Sequence, residues 1–147
     1  MTTIPEEKVN FSKPVLTKGA GHPFTRFIIG YHLNLSRQGL TDKDIPELIR
    51  FLYHFEPRPD IKTIDLSLNN LGDQGIADFV ERNHTIFSAN FAGNMISDLG
   101  LALFVYKNRT ITEVNFSHNL ISEQGIYHFA EKNDICYSSR FCTVQYH

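Results

Sequence analysis

The sequence predicts an α/β solenoid of about five units, with parallel strands on a concave wall, short helices on the convex side and an N-terminal cap. Three observations carry this. A 25-residue pattern recurs in register, apolar residues in each copy first alternate with a period of two, and each copy then switches to helical spacing. The chain of 147 residues fits one domain. Such a length buries about two-thirds of the extended surface and needs no disulfide staple.

The copies begin at Ile61, Ile86 and Ile111. Asn69, Asn94 and Asn119 recur in register, as do Gly75, Gly100 and Gly125, then Phe79, Phe104 and Phe129, then Asn83, Asn108 and Asn133. An earlier, degraded copy fits Leu33 to Leu48, with Gln38 in place of Asn and Asp44 in place of Gly. It runs on through Glu56-Pro-Arg-Pro-Asp60, a loop broken by proline. A fifth step lands on Cys136, Ser139 and Phe141. Residues 1–28 match no copy and are expected to form the cap, as an added strand or helix over the first unit. Residues 29–147 are expected to form the solenoid, including a C-terminal capping strand.

Within each unit the inward strand pairs are Ile64/Leu66, Ala89/Phe91 and Val114/Phe116, each flanking one polar residue. Successive strands come one repeat apart, so they stack parallel, each reached through its own helix. Asn69, Asn94 and Asn119 follow the strands, where the chain must turn. Their amides carry donors and an acceptor for turn backbone, so their expected role is structural. Gln38 puts the amide on a longer arm and predicts a looser first turn. The helices show i, i+3, i+4 spacing in Ile76/Phe79/Val80, Leu101/Phe104/Val105 and Ile126/Phe129/Ala130. Ser97 and Ser122 stand at N-cap positions, with Asp98 and Glu123 next in line. Gly75, Gly100 and Gly125 are expected to permit close helix–strand approach.

The motif LxxLxLxxNxL, followed by Gly and a helical stretch, resembles the leucine-rich-repeat family over roughly residues 29–142. The short helix opening with Gly75, Gly100 or Gly125 resembles the ribonuclease-inhibitor-like subtype. The small size and the Asn- and Phe-rich repeats also resemble small leucine-rich-repeat effectors of Legionella-like intracellular bacteria. The family resemblance implies a non-catalytic protein-binding module that holds a protein partner against its concave face and rims. It further implies a form in which the module covers a partner enzyme's active site, as a bacterial effector that regulates another effector.

Outward strand positions follow from the same alternation. The central row reads Asn34, Asp65, Asn90, Asn115, Arg140, and the row before it His32, Thr63, Ser88, Glu113, Ser138. Flanking positions read Tyr31, Lys62, Phe87, Thr112, Tyr137 on one rim and Arg37, Leu68, Gly93, His118, Thr143 on the other. Tyr and Arg are frequent interface anchors. The expected partner-binding set is therefore Tyr31, Asn34, Arg37, Lys62, Asp65, Phe87, Asn90, Glu113, Asn115, His118, Tyr137 and Arg140. The plain alternative for each aromatic is packing on a neighbouring unit. A one-residue slip, Ile135 for Cys136, would exchange the faces of Tyr137, Ser138 and Arg140.

Other chemistry finds no support. Fourteen Lys and Arg against sixteen Asp and Glu leave a net charge of −2, which argues against a nucleic-acid footprint. No apolar run reaches the length of a membrane helix, and Met1 to Lys8 lacks a secretory start. The chain is expected to be soluble and cytoplasmic, or delivered into a host cytosol as an effector. There is no Gly-rich phosphate loop and no His-Glu-x-x-His. Cys136-x5-Cys142, near His128 and His147, reads as two ordinary thiols rather than a metal or catalytic site. No catalytic residue, cofactor or metal is expected, and the free chain is expected to be monomeric. Two other classes remain: the recognition part of a larger system such as a ubiquitin ligase, and a structural protein that self-associates through its last strand edge.

Overall fold

The structure, a computed structural model, describes residues 21–132 and 144–145, with side chains for residues 21–128. Ten elements follow one another beyond two 3-10 turns: β1 (Ile28–Ile29), β2 (His32–Asn34), α1 (Ile45–His54), β3 (Thr63–Asp65), α2 (Asp73–Arg82), β4 (Ser88–Asn90), α3 (Asp98–Lys107), β5 (Glu113–Asn115), α4 (Glu123–Lys132) and β6 (Val144–Gln145). The strands form one six-stranded sheet in chain order. Strands β2 to β6 are parallel, and Leu33, Ile64, Ala89 and Val114 stand side by side in register. Strand β1 returns antiparallel along β2, pairing Ile28 with Leu33 and Ile29 with His32.

The inward residues are those the alternation selects. Ile64, Leu66, Ala89, Phe91, Val114 and Phe116 are all buried, and Ile76, Phe79, Val80, Leu101 and Phe104 meet them from the helices. Val105 is only partly buried against this core. Phenylalanines run through it as linked rings: Phe79 meets Phe91 edge-on at 5.8 Å, Phe91 stacks on Phe116 at 5.7 Å, and Phe104 meets Phe116 edge-on at 5.0 Å. Ile126 is half-buried, while the side chains of Phe129 and Ala130 lie outside the described residues.

The strand of the fifth unit, β6, departs from the 25-residue step. Val144 pairs with Val114 and Gln145 with Asn115. The step would place Ser139 and Arg140 there. The inward register holds apolar residues in the other units, Leu33, Ile64, Ala89 and Val114, and Val144 supplies one where Ser139 does not. Cys136, Tyr137, Ser138, Arg140 and Cys142 lie outside the described residues.

The glycines also act differently from expectation. A Cβ on Gly75, Gly100 or Gly125 would fall 2.2–2.3 Å from a carboxylate oxygen of Asp42, Asp73 or Asp98. These acids belong to the preceding unit, so the close approach is between helix starts of adjacent units rather than between helix and strand. Each carboxylate then caps the next unit. Asp42 Oδ1 accepts from the Gly72 N–H at 2.7 Å. Asp73 accepts from the Ser97 N–H at 2.7 Å and from its hydroxyl at 2.6 Å. Asp98 does the same for Ser122. A negative group at a helix N-terminus satisfies orphan donors and opposes the helix dipole favourably.

At the N-terminal end, Phe24 is fully buried in the 3-10 turn Pro23–Phe27. The His22 ring lies 4.6 Å from that of Phe51 and hydrogen-bonds Glu47 at 2.7 Å. Arg50 also grips Glu47, through two bonds of 2.9 and 2.7 Å. The Arg50 guanidinium, aided by His22, holds the Glu47 carboxyl below the usual carboxylate range. The Ser122 hydroxyl and backbone N–H do the same for Asp98. Groups held low stabilise the fold above their unfolded pKa and lose that contribution as pH falls through the folded value. Thermal melts should therefore be nearly flat above about pH 5 and fall progressively below about pH 4. Glu47→Gln should flatten the acid limb; a fold that gains stability on acidification would contradict this assignment.

Candidate functional site

The solvent face of the sheet shows two ordered rows. One carries His32, Thr63, Ser88 and Glu113 and begins at Ile29, which pairs with His32. The other carries Asn34, Asp65, Asn90 and Asn115. Neighbouring strands stand about 4.8 Å apart, so each row is a regular ladder of side chains.

The second row is locked by its own backbone. Asn34 Oδ1 accepts from the Ser36 N–H at 3.0 Å, Asp65 Oδ1 from Ser67 at 2.8 Å, Asn90 Oδ1 from Ala92 at 3.0 Å and Asn115 Oδ1 from Ser117 at 2.9 Å. These are side-chain turns that close the strand end. With each Oδ1 committed, the Nδ2 groups of Asn34, Asn90 and Asn115 have no partner among the described residues and are open to water. The row thus presents donor, carboxylate, donor, donor, in fixed order.

A shallow depression of about 300 Å³ lies over these rows, lined by His32, Thr63, Asp65, Ser88, Asn90 and Glu113 among others. His32 Nδ1 is tied to Thr63 Oγ1 at 2.7 Å. Asp65 and Glu113 are the carboxylates of the two rows, and neither row contains Lys or Arg among the described residues, so the surface is acidic. His32, outside the partner-binding set expected from the sequence, lines this depression.

The rims differ. Tyr31 is 64% exposed and Phe87 44%, so neither is packed away on a neighbouring unit. Lys62 between them pairs with Asp60 at 2.8 Å, an exposed pair of small energetic weight. On the other rim Arg37, Leu68, Gly93 and His118 all have positive φ, from 56° to 67°. This position is the left-handed corner of every turn, and only Gly93 hints at it in the sequence. Leu68 lies over Gly93, where a Cβ would come within 2.6 Å of Leu68 Cδ2. Arg37 and His118 first serve the backbone, and their side chains project from the corner into solvent. Tyr137 and Arg140 lie outside the described residues.

Beneath the rows, the asparagines bind turn backbone of two units. Asn69 Oδ1 accepts from the Gln38 and Leu40 N–H groups, both at 3.0 Å, while its Nδ2 donates to Leu35 O and Leu66 O. Asn94 accepts from Leu71 and donates to Leu66 O and Phe91 O. Asn119 accepts from Ile96 and donates to Phe91 O and Phe116 O. Gln38 Nε2 reaches Ser36 O, within its own turn. A second column closes the turns from helix to strand. Asn83 accepts from and donates to Ile86, and Asn108 does so with Ile111. The sequence shows its recurrence but not its task. Among the described residues no three His, Cys, Asp or Glu gather as a metal site, and no helix is long and apolar enough to cross a membrane.

The comparisons with known proteins agree with this architecture. The leucine-rich-repeat model matches residues 59–80 and 107–130. Among solved structures, leiomodin-1 actin-binding site 2 is similar, with a TM-score of 0.61 and 19% identity over 80% of this chain and 70% of that one. No curated protein matches the sequence. Strands in parallel register with one helix per unit give this chain a short α/β solenoid fold of the leucine-rich-repeat type, and the family model matches two stretches of it.

Proposed function

We propose that this chain is a non-catalytic module that receives a protein partner on the sheet face, with residues 1–28 as its cap and 29–147 as the solenoid. The observation that carries the reading is the locked row Asn34, Asp65, Asn90 and Asn115 over an open depression. Amides fixed in one orientation lose little freedom on binding, so their hydrogen bonds count more fully toward affinity. Asp65 and Glu113 select a partner with Lys or Arg opposite them. Tyr31 and Phe87 supply exposed rings at the rim, with Arg37, Lys62 and His118 at the periphery. Support from known proteins is limited to fold: the similar leiomodin-1 region is an actin-binding site of that protein. The reading extends to inhibition, in which the sheet face covers the cleft of a partner enzyme.

Capture of partners from native host extract, compared between wild type and variants, tests this. Asp65→Asn keeps the acceptor for Ser67 while removing the charge, and Glu113→Lys reverses a charge at an exposed site. Each should weaken the captured complex by about 1–3 kcal/mol, with circular dichroism unchanged. Equal capture by wild type and both variants would move the site off the sheet. If the captured partner is an enzyme, its turnover should fall to a floor at one equivalent of chain; undiminished turnover would remove inhibition from the reading.

A further inference from the structure

The repeats permit a comparison that a non-repetitive fold does not. Helices α2, α3 and α4 meet the same scaffold demands at equivalent positions, so a departure confined to outward positions of one helix is not required by the fold. Helix α3 departs at three. Leu99 stands where α2 and α4 carry Gln74 and Gln124, Leu103 where they carry Asp78 and His128, and Tyr106 where they carry Glu81 and Glu131. Leu99 and Tyr106 are 61% and 77% exposed. The three are spaced i, i+4, i+7, which aligns them as one stripe on the outer face. Helix α3 is thus apolar on two sides, inward through Leu101 and Phe104 and outward through this stripe, a pattern of helices covered on both sides. Beside the stripe, between α3 and α4, runs a largely apolar groove of about 750 Å³ with Leu101 and Gly125 buried at its floor.

We infer that this convex face is the interface of a homodimer, in which the α3 ridge of each copy lies antiparallel in the α3–α4 groove of the other. A ridge and a groove side by side on one chain are complementary to each other, which is what a two-fold contact requires. Charge selects the antiparallel sense. Asp98 opens the helix, and Arg109 lies just past its end, about 16 Å along the axis. Arg109 has no carboxylate partner among the described residues; its guanidinium bonds only the Tyr106 and Asn108 carbonyls. The antiparallel arrangement brings Asp98 of one copy to Arg109 of the other, whereas a parallel one opposes like charges. The dimer replaces the monomer expected from the sequence, leaves the sheet face open and is independent of its proposed use.

Sedimentation equilibrium on the full chain tests it. Between about 1 and 500 µM chain, the mass should rise from 16.9 kDa toward twice that value. Leu99→Gln, Leu103→Asp and Tyr106→Glu install residue types that α2 already carries in these positions, so each should fold with an unchanged circular dichroism spectrum. Leu103→Asp or Tyr106→Glu should raise the dimer dissociation constant about tenfold or more, and Arg109→Glu should raise it less, in a salt-dependent way. A mass of 16.9 kDa throughout the range would overturn the proposal. So would folded stripe variants that associate like wild type, which would assign association to another surface such as the sheet edge.

Discussion

Asn94→Ala is expected to lower stability by about 3 kcal/mol, near a 10 °C fall in melting temperature for a domain of this size. Asn94 is only 6% exposed. Its oxygen takes the Leu71 N–H at 3.0 Å, and its nitrogen serves the Leu66 and Phe91 carbonyls at 3.0 and 2.9 Å. Alanine leaves the Leu71 N–H without its side-chain partner and takes one of two amide bonds from each carbonyl, and a buried orphan costs about 1–3 kcal/mol before relaxation. Leu66 O keeps its bond from Asn69, and Phe91 O its bond from Asn119, which limits the total. Asn94→Asp separates geometry from chemistry. It keeps the acceptor but turns an oxygen toward two carbonyls, so it should be no milder. Asn119→Ala, at a half-buried position, should cost less. Thermal or denaturant unfolding measures all three, and a wild-type melt for Asn94→Ala would refute the two-unit ladder.

Gly100→Ala should destabilise by a similar amount, about 2–3 kcal/mol, although alanine is the better helix former by about 1 kcal/mol. The added Cβ falls 2.3 Å from Asp73 Oδ1 and 2.7 Å from Ile96 Cγ2. Asp73 can rotate away only by releasing the Ser97 N–H and hydroxyl, two bonds to a charged acceptor. Ile96 is fully buried and has little room to yield. A double-mutant cycle isolates the first contribution: with Asp73→Ala already present, adding Gly100→Ala should cost at least about 1 kcal/mol less than it does alone. Strict additivity would show that the glycine serves something other than the carboxylate.

The legible part of the candidate site was its row structure. Once Ile64, Ala89 and Val114 are assigned inward, Asp65, Asn90 and Asn115 must share the opposite face, because side chains alternate along a strand. Their second task was not legible, since an Asx turn depends on how the chain bends after the strand. The left-handed corner at Arg37, Leu68 and His118 was hidden for a related reason: a favourable surrounding turn can hold an ordinary residue at positive φ, and only Gly93 advertises it.

The sequence by itself determined the repeat length, the inward core residues, the parallel stacking and the asparagine column, because periodicity of two or 3.6 is a local property carried by residue type. Tertiary structure alone decided that Asp73 and Asp98 cap the following unit, that Val144 rather than Ser139 completes the sheet, and that β1 runs antiparallel over the first unit. Each of those depends on a distance between units. Such distances are set by how closely the backbones pack, and no single repeat encodes them.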